Sequence, residues 1–389
     1  MVSPKVFNYE GGKPYEPIYL TTVIDGERDR TSENLKAVQK WLQLVFYILL
    51  ILSTILFFQM VLGRLSELRL ESKLRLLSAR NEEYKKMFNE FVKKYDRKYA
   101  DYEEYDYRLT IFKNTIQEYE EEEKRHPGLD LDVTQFADWT DEELRQMTSN
   151  ELTPKNIGET SRIHSNIYNE GESRPASFDW RDQGKLTPVK NQASCGSCWA
   201  FATVAAVEAQ HAIKKGNLVS LSEQEMVDCD HNNNGCHGGY RPYAMDFVKR
   251  KGLETDKEYP YDGIEGQQCR LENNLTRVFI DDYQMLGEDE EYIADWVSKN
   301  GPVTFGMNVT KSMYSYRSGI FNPSPEDCEE KSMGSHALTI VGYGVEGNKP
   351  FWIVKNSWGS TWGASGYFRL ARGVNSCGLA KTVVAPIIR

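Results

Sequence analysis

The longest apolar run in the chain is Trp41 to Gly63, 23 residues without a charge, bounded by Lys40 and Arg64. A helix rises about 1.5 Å per residue, so this run is long enough to cross a hydrocarbon layer of roughly 30 Å. Core helices rarely sustain such a run, and the pattern predicts a transmembrane helix. Forty mostly polar residues precede it and no small-residue cleavage site follows it, so the segment reads as a signal-anchor and not as a cleaved signal peptide. From Arg64 to Glu123 the pattern changes to dense Glu, Lys, Arg, Leu and Tyr with neither Pro nor Gly, which predicts a largely helical stretch. Its first part, 64–80, reads as a helical stalk. Further on, Phe88, Phe91 and Tyr95 recur at three- and four-residue spacing and mark one apolar face. His126-Pro127-Gly128 stops the helix. Residues 149–174 are polar and aperiodic, as an exposed, cleavable linker would be, and a globular domain is expected over 175–389.

Within that domain the patterns are those of a mixed α and β protein. After Asn191–Phe201, NQASCGSCWAF, comes the apolar stretch ATVAAVEA and then Lys214, Lys215 and Gly216, which together describe a buried helix with a stop signal. Cys198 falls in its first turn, where the positive end of the helix macrodipole favours thiolate over thiol. Two strand-like runs, Ala337 to Gly344 and Phe351 to Lys355, are spaced to pair as a hairpin, which would bring His336 and Asn356 together. Of the six histidines, His336 and His211 have strongly apolar surroundings in the second half, and His211 lies near a helix end as a surface residue would.

Composition narrows the function. Hydrophobic residues make up 40% and aromatics 12%, which excludes wholesale disorder, and a net charge of -10 argues against a nucleic-acid partner. The basic residues on either side of 41–63 are too evenly balanced to set its orientation. All seven cysteines lie in the second half, at 195, 198, 229, 236, 269, 328 and 377, and seven is odd. Cys195-Gly-Ser-Cys198 has the spacing of a redox pair or of half a zinc site as well as of a nucleophile loop. Against redox chemistry, no short strand–helix–strand unit flanks it, and five further cysteines need an explanation. Against zinc, Cys229 and Cys236 do not repeat the spacing. No metal and no cofactor are expected.

These motifs resemble the papain and cathepsin L family of cysteine peptidases. The resemblance starts at Phe178 with FDWRDQGKLTPVKNQASCGSCWAF and continues through LSEQEMVDCD at Leu221, GCHGGY at Gly235 and CR at Cys269. It resumes with SHALTIVGYG at Ser335, FWIVKNSWGSTWGASGYFRLARG at Phe351 and CGLA at Cys377. It implies Cys198 as nucleophile, His336 as its base and later acid, Asn356 as the group orienting the imidazole, and Gln192 as an oxyanion donor. Trp358 is implied as the shield of the His–Asn pair, with Gly238, Gly239, Tyr240, Arg241, Gly306, Ala337 and Thr382 binding substrate. Tyr240, Arg241, Gly306, Ala337 and Thr382 fall where the family lines the pocket for the residue two before the scissile bond. A hydrophobic preference is expected there, with Arg241 as a cation at the rim. The absence of an inserted loop with paired histidines favours an endopeptidase.

The resemblance also pairs Cys195 with Cys236, Cys229 with Cys269 and Cys328 with Cys377, leaving Cys198 as a thiol. Disulfides place the domain on the luminal or exterior side, and so imply a type II protein with residues 1–40 as a cytoplasmic tail. A lysosome-like compartment is expected, with secretion or the cell surface as alternatives. The sequons Asn274-Leu-Thr and Asn308-Val-Thr agree. Residues 81–148 resemble, less closely, the family's inhibitory pro-region, with Glu104, Arg108, Phe112 and Phe136-Ala-Asp138 in place. Thr115, Tyr119, Glu123 and Thr134 depart from its pattern. In the enzyme itself Ala193 stands where Gly is usual, and Ser335 where Asp or Asn is more common. The implied fold is α+β and two-lobed, a helical lobe and an antiparallel sheet lobe, preceded by a helical pro-domain and the membrane helix. The implied partners are protein or peptide substrates, the chain's own pro-region as intramolecular inhibitor, and a membrane through 41–63. The rival readings are a catalytically silent binding protein that keeps the fold and a Cys195–Cys198 redox protein.

Overall fold

The computed structural model describes residues 21–148, 174–271 and 275–389. Most of the linker and Asn274 of the first sequon lie outside the described residues. Two compact units divide at Glu83/Tyr84. The first is dominated by helix α1 (Thr21–Lys94). By length and composition α1 can cross a membrane, and from Trp41 to Gly63 none of its side chains is buried.

In the second unit, α1 ends at Lys94 and α2 spans Tyr102–Arg125. The sequence predicts a largely helical stretch through this region, and the structure shows it with one break at 95–101. Asp96 is left-handed at φ 48°, and Asp101 caps α2 by accepting from Glu104 N at 2.9 Å. Tertiary bonds outweigh helix propensity over 95–101, where Tyr95 Oη donates to Val133 O at 3.0 Å and Tyr99 Oη to Asp138 at 2.8 Å. Phe88, Phe91 and Phe112 pack with ring centroids 5.3–5.9 Å apart and fasten α1 to α2. After the His126 cap come β1 (Asp130–Leu131) and α3 (Asp141–Gln146), the latter opened by a capping box between Thr140 and Glu143.

The rest of the unit has two lobes. In the helical lobe, α4 (Cys198–Lys215) is the central element, packed with α5 (Glu223–Cys229) and α6 (Arg241–Lys251) around Trp199, Val204, Val207, Met226 and Met245. The sheet lobe is built on β2 (Phe178–Asp179), β3 (Asp282–Met285), β4 (Val303–Thr310) and β6 (Ile320–Phe321). With these run β7 (Ser332–Glu346), β8 (Lys349–Lys355), β9 (Tyr367–Ala371) and β10 (Val384–Ile387). The order is β3-β10-β4-β7-β8-β9-β6 with β2 on β7, and the pairs are antiparallel except β6 with β9, which is parallel. Helices α7 (Glu290–Lys299) and α8 (Pro325–Glu330) flank it. Strand β5 (Tyr316–Ser318) pairs antiparallel with β1, so the segment before the linker adds a strand to the domain after it. Arg174, placed in the linker by the sequence, is ion-paired with Glu291 and Asp295 and belongs to the folded domain.

Three disulfides join Cys195 to Cys236, Cys229 to Cys269 and Cys328 to Cys377, and Cys198 stays outside them.

Candidate active site

Cys198 opens α4 and is fully buried, at the positive end of an 18-residue helix. The loop before it is fixed from the side by the Cys195–Cys236 disulfide and by Gly196 N donating to Cys236 O at 2.9 Å. Gly238, at φ 110°, leads into Gly239, which must be glycine: a Cβ there would lie 2.4 Å from Cδ2 of Trp199, the residue after Cys198.

His336 lies on β7 opposite Met307 of β4, and Asn356 directly follows β8, which pairs with β7. The register brings His336 Nε2 to 2.8 Å from Asn356 Oδ1. Asn356 Oδ1 also accepts from Ser357 N at 2.8 Å, which fixes the amide with its oxygen toward the ring. Nε2 must therefore carry the hydrogen, and in a neutral ring Nδ1 is the acceptor. Nδ1 is buried with no hydrogen-bond partner among the described residues. Trp358 stacks on the imidazole with centroids 4.8 Å apart. Burial pushes His336 down to about 4, and the Asn356 bond offsets this only in part.

Gln192 is held at both ends of its amide. Oε1 accepts from Ser357 Oγ at 2.7 Å, and Nε2 donates to Cys195 O at 2.8 Å and to Met147 O at 2.9 Å. The second acceptor belongs to the segment ahead of the linker. Thr148 Oγ1 continues that segment's attachment by donating to Met333 O at 2.8 Å. Gln135 Nε2 donates to Trp358 O at 2.7 Å, and Phe136 meets the Trp358 ring edge-on at 5.3 Å. Tyr314 stacks on Trp358 at 4.8 Å and donates to Leu144 O at 2.9 Å. Ala193 takes up the left-handed conformation at φ 53°, yet Gln192 keeps all these bonds. Ser335 pairs with Asn308 across β4 and β7.

Beneath Asn356 runs a charged network that sequence motifs did not single out. Lys190 Nζ donates to Glu208 at 2.9 Å and Glu223 at 2.8 Å, while Lys355 Nζ, next to Asn356, donates to Thr187 O at 2.7 Å. Burial raises Glu223 to about 8 despite Lys190, and burial also lowers Lys355. A lysine beside the Asn motif and a glutamate in the apolar α4 helix were the available signals.

Of the residues expected to bind substrate, Gly306 lies on β4, Ala337 on β7 and Arg241 at the start of α6. Gly306 is the partner of Ala337, which follows His336, and Tyr240 and Ala337 are buried. The structure corrects Arg241: it is not at the rim but 3% exposed, and its Nη2 donates to Thr382 O at 3.1 Å.

Among the described residues, one set of side chains could approach a metal ion, Glu122, His126 and Asp327, with ligand atoms within 4.8 Å of one another. Arg125 and Lys331 already pair with its carboxylates, so it reads as an ion-pair cluster.

The comparisons agree with this architecture. Residues 174–387 match the model of the papain family cysteine protease, and residues 88–144 that of the cathepsin propeptide inhibitor domain. Cathepsin F of Mus musculus is 38% identical over 295 residues, covering 75% of this chain and 63% of that protein. A cathepsin L-like proteinase of Phaedon cochleariae is 36% identical over 310 residues, covering 78% and 93%. The solved structure of digestive procathepsin L2 proteinase from Tenebrio molitor larval midgut superimposes with a TM-score of 0.73 at 35% identity, covering 78% of this chain and all of that one. The chain belongs to the papain family of cysteine proteases and carries the family's propeptide inhibitor domain. It is a hydrolase made as a zymogen with its inhibitor in the same chain.

Proposed function

We propose that peptide bonds are cleaved by Cys198 with His336 as its acid and base. Neutral His336 takes the thiol proton on Nδ1, the thiolate attacks the substrate carbonyl carbon, and the carbonyl oxygen becomes an oxyanion. Gln192 Nε2 and the backbone N–H of Cys198 hold that oxygen. As the tetrahedral intermediate collapses, the C–N bond breaks and the leaving amine takes the proton back from the imidazolium. Water, deprotonated by His336, then attacks the thioester and releases the acid. Asn356 keeps Nε2 protonated, and Trp358 keeps water from the His–Asn bond.

One observation carries this reading: a peptide carbonyl, that of Met147, already sits on Gln192 Nε2. The donor thus holds a backbone oxygen beside the nucleophile loop, and the pro-segment blocks the site by taking that place. The supporting assignments are 81–148 as inhibitory pro-domain, 149–173 as the cut region and 174–389 as the mature endopeptidase, with Arg174 moved out of the linker by its ion pairs.

We further propose that 41–63 anchors the zymogen as a type II protein, with 1–40 cytoplasmic, 64–80 as stalk and the peptidase in a lysosome-like lumen. The uncharged run and the three disulfides support it. Asn308 lies in β4 with its amide donating to Cys328 O at 3.2 Å, so we place a glycan on Asn274 instead. Tyr240, Ala337 and Gly306 support the apolar preference expected two residues before the scissile bond.

The test is to produce the full chain in membranes, acidify it, and follow hydrolysis of a fluorogenic peptide alongside the Cys198→Ala variant. Activity should appear with loss of the pro-region and be absent from the variant. Silence of folded, processed wild type would leave a papain-fold binding protein. Extraction by alkaline carbonate, which strips peripheral proteins, would remove the anchor from the account.

A further inference from the structure

We infer that Tyr261 is a positioning residue for the oxyanion site, its one hydroxyl tying Gln192 to Ser197, the residue directly before the nucleophile. The inference rests on the peptidase reading above, in which Gln192 Nε2 and the Cys198 backbone N–H hold the oxyanion.

Those two donors stand at opposite ends of the loop 193–197, which includes the left-handed Ala193. Tyr261 bridges the loop. Its Oη lies 2.8 Å from Gln192 O and 2.7 Å from Ser197 Oγ. A carbonyl oxygen only accepts, so the single phenolic hydrogen goes to Gln192, and the Ser197 hydroxyl donates to Tyr261. The result is a directed chain from Ser197 through Tyr261 to Gln192, in which each bond polarises the next. Burial raises the phenol above its ordinary value of 10.0, so it keeps its hydrogen throughout the working range of the enzyme. Ser197 O accepts from Ala200 N at 2.8 Å, which turns this carbonyl into α4. In a trans peptide the N–H points the opposite way, so the Cys198 N–H is aimed out of the helix start. Holding Ser197 therefore holds the direction of the backbone donor.

Tyr261 is itself braced. Its ring meets Phe201 of α4 edge-on with centroids 4.8 Å apart. Ahead of it, Ser222 Oγ, at the cap of α5, donates to Tyr259 O at 2.6 Å. Behind it, Gln224 of α5 accepts from Asp262 N at 3.2 Å and from Gly263 N at 3.1 Å, and donates to Ile264 O at 2.8 Å. Ser222 and Gln224 are both fully buried. A hydroxyl carried on a segment fastened on both sides can hold a catalytic donor in place, which one on a loose loop could not.

The experiment takes the full chain and processes it with an added protease, so that activation does not depend on a variant's own activity. Two reactions of Cys198 are then compared. Peptide hydrolysis passes through an oxyanion; alkylation by iodoacetamide, in which the sulfur bonds to the methylene carbon as iodide leaves, forms none. Tyr261→Phe keeps the ring against Phe201 and removes both hydrogen bonds. It should lower kcat by about 10- to 100-fold with KM little changed, as expected for a displaced oxyanion donor, and leave the alkylation rate as it was. In a Gln192→Ala background the same substitution should cost far less, because the donor it positions is gone. Should Tyr261→Phe not fold, Ser197→Ala, which removes one end of the chain, decides in the same way: kcat should fall and alkylation should not. Wild-type kcat in the variant, or hydrolysis and alkylation falling together, overturns the inference while leaving the peptidase standing. A wild-type protein that is alkylated at Cys198 and hydrolyses no peptide overturns both.

Discussion

The side-chain amide of Gln192 donates to the backbone carbonyl of Met147 at 2.9 Å, so a carbonyl from the segment ahead of the linker rests on the donor proposed to hold the oxyanion. On the proposed mechanism, that carbonyl and the substrate oxygen compete for one hydrogen atom. Trp358 is engaged by the same segment, through Gln135 and Phe136, which closes the site over its His–Asn pair.

Gln192→Ala in the processed enzyme is expected to lower kcat by about 10²- to 10³-fold, or about 3 kcal/mol, with KM little changed, because the lost bond strengthens only as the oxyanion forms. The isolated pro-domain should also inhibit this variant less well. Steady-state kinetics with and without the added pro-domain measures both.

The response of the zymogen to acid should divide between two carboxylates of the pro-domain. The Arg108 guanidinium, bound to both oxygens of Glu143, holds this group below its ordinary value of 4.5. Its contribution to the folded pro-domain is therefore complete above 4.5 and is lost as pH falls through the lowered value. Asp138 has the opposite sign: burial raises it despite Arg97 and Tyr99, so protonation favours its packed state. In a Cys198→Ala background, Glu143→Gln should flatten the acid limb of pro-domain release and Asp138→Asn should steepen it. Susceptibility of the pro-domain to an added protease, measured against pH, reads both.

His336 supplies a second acid-sensitive element. Its ordinary value is 6.5, and burial holds it at about 4. The covered state keeps its full advantage above 6.5 and loses it between 6.5 and about 4, because protons bind any state in which the ring is solvated. NMR of the imidazole in the Cys198→Ala zymogen should show a neutral ring at pH 5.5. Its midpoint should rise once the pro-domain is removed. An unchanged midpoint would assign the burial to Trp358 and Asn356 alone.

Ala193→Gly should stabilise the mature domain. Left-handed backbone costs a non-glycine residue about 1–2 kcal/mol, against about 0.4–1 kcal/mol for the extra freedom glycine gives the unfolded chain. The expected gain is up to about 1 kcal/mol, or about 2–4 °C in Tm by calorimetry, with kcat unchanged because Gln192 is already held at both ends.

What the sequence made legible is what side-chain pattern encodes. Two apolar alternating runs predict the hairpin that sets His336 against Asn356, and an apolar stretch ending in Lys214, Lys215 and Gly216 predicts α4. The break at 95–101 was illegible because neither Gly nor Pro marks it. Its cause, the bonds from Tyr95 and Tyr99 to Val133 and Asp138, is tertiary. The Met147 carbonyl could not be read because any residue offers the same backbone oxygen. Arg241 was misplaced for a physical reason as well: a charge is expected at the surface, and only the open space over Gly306 makes room for it inside.

The strand that β1 lends to β5 and the carbonyl that Met147 lends to Gln192 come from the chain they inhibit. While Thr148 and Arg174 remain joined, the blocking segment stands at an effective concentration on the order of millimolar whatever the dilution of the protein. One cut between them makes that concentration equal to the real one. A diluting compartment can then complete what the cut begins, and a crowded one can hold freshly cut enzyme silent.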